Sequence, residues 1–169
     1  MLIRFGAIGL IVVLCAFAGS AGLPLILERL GTPYPIRLYN TQALAAIVLE
    51  PDGRIIIHMP AFLMHYENAD IISFLYLHEV GHARLGHLLP AGIRSAGLMP
   101  LDSQEDIRWA LEFHADQWAA RRAIRAGYDP VDGLTAIFAH WGTDGGGTTH
   151  PRDAERIERV RQAAAALRR

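Results

Sequence analysis

LHEVGHARLGH, residues 77–87, sets three histidines and a glutamate into a segment that otherwise reads as apolar helix. The preceding ADIISFLY (69–76) is apolar, and Asn68 or Asp70 can cap its start, so 69–87 reads as one long buried helix. At 3.6 residues per turn, His78 and His82 lie about 40° apart on one face, so both imidazoles can reach one metal ion. Glu79 falls about 100° from His78 and 60° from His82, off the ligand line but within reach of a water at the metal. Two ligating histidines beside a glutamate that takes the proton of the attacking water is the zinc-peptidase reading of H-E-x-x-H. The bland alternative is a surface helix rich in polar groups. A buried helix argues against it, because two unpaired histidines and a glutamate would be costly to desolvate there.

His87 would point about 180° from His78 and 140° from His82 on a continuous helix, so it is not expected to ligate. The metzincin extension fails as well, since Leu85 and Leu88 stand where that pattern needs a glycine and a histidine. A third ligand must come from elsewhere, and the only cysteine, Cys15, leaves His, Asp and Glu to supply it. ALEFHADQWAARRA (110–123) offers Glu112 and Asp116 at i and i+4 on one helical face, with His114 directed nearly opposite. Glu112 is the expected third ligand, and Asp116 would hold the free ring nitrogen of a ligand histidine. Taken alone, the pair could be an ordinary acidic face. Its place downstream of HEVGH, among small residues that permit close helix packing, favours the site. Glu105 and Asp106 compete as donors, but first-turn capping explains them: Ser103 and Asp106 fit a capping box, and Gly127 ends the helix.

Outward from these helices the chain reads as one α+β, mostly helical domain over 31–169. AIVLEPDGRIIIHMP is two β-type runs around a PDG turn, a hairpin or two neighbouring strands with Arg54–His58 as the second. That strand could pair with an extended substrate, while His58 reads as an alternating strand residue. LERLGTPYPIR (27–37) reads as a linker. DPVDGLTAIFAHW suggests a short helix, GTDGGGTT (142–149) a loop, and Pro151 opens a final helix. Residues 1–30 carry Arg4 and then no charge until Glu28, which reads as a transmembrane anchor or a signal peptide with AFA at 16–18 as cleavage site. A buried helix of a soluble protein is the third reading. Either of the first two places the domain at the membrane or exports it. A net charge of −1 speaks against nucleic acid as a partner.

With these residues in place, the chain resembles the gluzincin metallopeptidases of the HtpX and CAAX prenyl endopeptidase type. AIVLEPDGRIIIHMPAFL resembles the turn and strand before the catalytic helix, and HEVGHARLGH the metal helix with its trailing histidine. EFHAD resembles the E-x-x-x-D helix, and TTHPRDAERI the late T-H-P…R-I segment. The resemblance implies a zincin-like domain holding one Zn²⁺ and cleaving protein or peptide substrates, with quality control as a role. It also implies that His150 binds substrate or stabilises the oxyanion, although by its position His150 could equally cap the last helix. Arg156 reads as a packing and ion-pair residue. Departures are the single N-terminal apolar segment, the short glycine loop and Arg152 in place of a frequent second proline. The ImmA/IrrE-type regulatory proteases share H-E-x-G-H, but the membrane segment and T-H-P…R-I separate this chain from them. Outside peptidases, a zinc-stabilised chaperone-like or regulatory binding module is the rival.

Overall fold

The computed structural model describes residues 23–31, 33–40, 45–88, 104–141 and 151–168. Within them the chain forms helix α1 (Leu23–Leu30), strands β1 (Ile36–Tyr39), β2 (Ala46–Leu49) and β3 (Ile55–Pro60), and a 3₁₀ turn over Ala61–His65. Four helices follow: α2 (Ala69–Arg84), α3 (Gln104–Arg125), α4 (Pro130–Trp141) and α5 (Asp153–Leu167). The architecture is α+β and mostly helical, as the sequence implies.

Helix α2 is the central element. Asn68 caps it, its side-chain oxygen accepting from the Asp70 and Ile71 amides at 3.0 and 3.1 Å. Its apolar stretch is buried on all sides, from Ile71 through Leu77, because α3, α4 and the sheet each cover a face. Two glycines set how closely the neighbours approach. A Cβ on Gly81 would stand 3.2 Å from the Ala115 carbonyl oxygen, and one on Gly133 would stand 2.5 Å from that of Asp70. Asp70 also accepts from the Asp129 amide at 2.8 Å, while Asp129 caps α4 through the Val131 and Asp132 amides. The starts of α2 and α4 are thereby fastened together.

The hairpin is present: β2 runs antiparallel to β3 with Val48 opposite Ile56, around the Pro51–Gly53 turn. The supposed linker, however, is structured. Residues 36–39 form β1, which pairs parallel to β3 with Ile36 opposite Ile57. The sheet order β1-β3-β2 puts β3 in the middle. Both edges of β3 are occupied, so the Arg54–His58 strand cannot receive a substrate strand, contrary to expectation. His58 pairs with Arg37, and its ring packs against that of Tyr39 at 4.4 Å.

The far end of the apolar N-terminal run also belongs to the domain. Leu23, Ile26 and Leu30 recur on one face of α1 and are buried in the core with α2, each contributing roughly 1.5–3 kcal/mol by burial. The folded unit therefore begins before residue 31, and Leu23, Ile26 and Leu27 pack against protein. Residues 1–22, with Cys15 and the AFA motif, lie outside the described residues. Among the described residues no helix is long and apolar enough to cross a membrane.

Candidate metal centre

The site forms where α2 and α3 cross, beside the Gly81–Ala115 contact. His78 Nε2 and His82 Nε2 stand 3.1 Å apart. The carboxylate of Glu112 meets both, with Oε2 3.4 Å from His78 Nε2 and Oε1 3.3 Å from His82 Nε2. A tetrahedral ion with bonds of about 2.0–2.1 Å to nitrogen and oxygen has ligand–ligand edges of about 3.3 Å. The two ring nitrogens stand about one such edge apart, and the Glu112 carboxylate sets one oxygen at about that distance from each of them. Among the described residues this is the His/Cys/Asp/Glu group whose donor atoms lie near enough to share one ion, all within 4.8 Å of one another. Two imidazoles and one carboxylate suit zinc, and among the described residues no fourth protein donor joins them.

Each ring is held from behind. Asp116 Oδ1 lies 2.9 Å from His78 Nδ1, which leaves the Nε2 lone pair facing the other donors. Phe74, one turn earlier on α2, stacks against the same ring with 6.4 Å between centroids. Asp116 is itself fully buried and takes a bidentate pair from Arg156 on α5, both bonds 2.7 Å. Burial raises the Asp116 pKa, but Arg156 and His78 outweigh it and hold the carboxyl below the usual carboxylate range. Arg156 Nη1 also lies 3.5 Å from Glu112 Oε2, and its guanidinium sits over Phe138 of α4. Arg156 therefore links three helices behind the site, in the packing and ion-pair role read for it.

Burial lowers the His78 pKa, but its hydrogen bonds to Asp116 and Glu112, with their charges, prevail and bring it up to about 10. Glu79 is 8% exposed, and desolvation pushes its carboxyl pKa up, offset in part by the charges of His78 and His82. A carboxylate with a raised pKa beside two imidazoles is suited to accept and return a proton.

Comparison with protein-family models, curated proteins and solved structures finds no match to this chain. What the centre can do must be read from its own residues.

The structure brings together His78, His82, Glu112, Asp116 and, through its charge interactions, Glu79. His150 lies outside the described residues, as does Ser103 of the expected capping box. Asp106 is exposed in the first turn of α3. His87 differs from expectation. Helix α2 does not continue through it but stops at Arg84, with Gly86 at φ 73°. The Gly86 amide bonds the Ala83 carbonyl and the His87 amide the His82 carbonyl, the two hydrogen bonds of a Schellman stop. This reversal carries the His87 ring back, so that its Nδ1 lies 3.0 Å from His82 Nδ1. Burial first, then the charges of His82 and His114, lowers the His87 pKa to about 4, leaving the ring neutral. The legible signal was Gly86, a left-handed stop one residue before the third histidine. His114 is no ligand, but its ring approaches that of His87 at 6.3 Å.

Proposed function

We propose that this chain is a zinc-dependent endopeptidase of the gluzincin type. The observation that carries the reading is the meeting of the His78 and His82 ring nitrogens with the Glu112 carboxylate, donated by two separate helices, with buried Glu79 beside them. Zinc bound there would supply Lewis-acid polarisation of a peptide carbonyl and acidify a water at its fourth corner. Glu79 takes the proton from the attacking water and returns it to the leaving amine, and its raised pKa suits both transfers. Asp116 keeps the Nδ1 proton of His78 in place, and Arg156 keeps Asp116 ionised. His150 is assigned to the oxyanion or the substrate on the strength of the T-H-P…R-I resemblance.

The substrates are proteins or peptides. The zincin-like fold and the membrane or exported location belong to the same proposal, the latter supported by the uncharged run ahead of α1. Among the described residues three protein donors rather than four meet there, which supports the enzyme over a zinc-stabilised binding module, where protein would close the fourth corner.

The test is metal analysis and casein cleavage by purified wild type and Glu79→Gln. One zinc per chain in both, with cleavage by wild type alone, is expected. Equal cleavage by both would remove Glu79 as the base, and zinc in neither would remove the centre.

A further inference from the structure

We propose that His87 is a positioning residue for the metal centre, accepting a hydrogen bond on Nδ1 from His82 Nδ1–H and so fixing which nitrogen His82 offers to zinc. This rests on the zinc reading above and adds a residue to it.

The argument begins with His82. Its Nε2 is the atom that faces His78 Nε2 at 3.1 Å and Glu112 Oε1 at 3.3 Å, so Nε2 must carry the lone pair when a metal binds. A neutral imidazole has one N–H, which then belongs to Nδ1 and needs an acceptor. The atom 3.0 Å away is His87 Nδ1, and the rings meet edge to face at 73°. His87 can accept there as a neutral ring with its own proton on Nε2, a buried atom without a hydrogen-bond partner among the described residues. If His87 donated instead, the proton on His82 would move to Nε2 and block the ligand position. The backbone fixes the same pair, because the His87 amide donates to the His82 carbonyl at 2.9 Å. Gly86, at φ 73°, makes this return possible.

The two ligand rings are therefore supported differently. A carboxylate, Asp116, backs His78, and a neutral nitrogen backs His82. A hydrogen-bonded carboxylate raises imidazole basicity, whereas a neutral acceptor sets orientation and tautomer with little added charge.

The test uses the full chain as wild type, His87→Asn and His87→Leu. The two replacements match in shape, but Asn places an acceptor oxygen at the position of the His Nδ1, and Leu places none. Zinc affinity is read by chelator competition, and thermal unfolding of the metal-free proteins reports any purely structural loss. His87→Leu is expected to lose about 10–100-fold in zinc affinity, while His87→Asn stays within about threefold of wild type and both metal-free variants unfold alike. Equal affinities for the two variants would overturn the assignment. A second readout needs no variant: ¹⁵N spectra of zinc-loaded wild type should show His82 protonated at Nδ1, and a bare Nδ1 overturns it equally. Wild type that takes up no zinc sinks the metal reading itself. Wild type that binds zinc with no Asn–Leu difference sinks only the role of His87.

Discussion

Replacing Gly81 by alanine tests whether the spacing of α2 and α3 tunes the metal centre. The added Cβ would lie 3.2 Å from the Ala115 carbonyl oxygen, 3.3 Å from its Cα and 3.5 Å from its Cβ. The first two contacts are with backbone, so relief requires the helices to part by a few tenths of an ångström. Overpacking of this kind costs about 1–3 kcal/mol. Against it, alanine improves on glycine inside a helix by about 1 kcal/mol. The net change in fold stability is therefore about 0–2 kcal/mol of loss, or a drop of up to roughly 8 °C in Tm for a chain of this size. Affinity for zinc at the proposed site is expected to respond more sharply. His82 follows Gly81 directly and Glu112 precedes Ala115 by one helical turn, so parting the helices separates a ligand on each side. Metal–ligand distances tolerate about 0.2 Å, and a loss of about tenfold or more in zinc affinity is expected. Calorimetric zinc titration, paired with thermal unfolding of the metal-free protein, separates the two effects. Zinc affinity within twofold of wild type would refute the idea that this helix contact sets the ligand spacing.

Glu112→Ala should abolish stoichiometric zinc binding, and metal analysis showing full occupancy would remove Glu112 as a ligand. Arg156→Met leaves Asp116 as a fully buried carboxylate without its bidentate partner; a loss of about 3–5 kcal/mol is expected, read by urea unfolding, and a change under 1 kcal/mol would contradict the pairing. The pH dependence has a definite sign. The His78 pKa rises from 6.5 to about 10 on folding, so its contribution to metal-free stability is fully present below pH 6.5 and lost as pH climbs through 10. Zinc must displace that proton, so zinc affinity should strengthen over the same window, which titration in buffers of different ionisation heat can check.

Much of the centre could be read from local spacing. His78, His82, Glu112 and Asp116 are each defined by one helical turn, and the caps at Asn68 and Gly127 mark where those turns belong. The readings that went astray depended on partners distant in the chain or on a break in periodicity. Strand β1 is largely exposed and pairs with β3 only after an intervening strand, so its residues show no alternation, and Pro33 and Pro35 disguise it as linker. Leu23, Ile26 and Leu30 are apolar enough for lipid or for a protein core, and only the presence of α2 decides between them. His87 was misdirected by extending helical arithmetic past Gly86, where the φ of 73° changes the direction of the chain. The Arg156–Asp116 pair spans 40 residues, a distance over which no periodicity operates.

That same pair sets an order of events during synthesis. Histidines and glutamate are all translated before Arg156, so a nascent chain still inside the ribosome at α5 would expose Asp116 with no guanidinium to neutralise it. The Asp116 carboxylate gains its guanidinium partner only once α5 has emerged and docked.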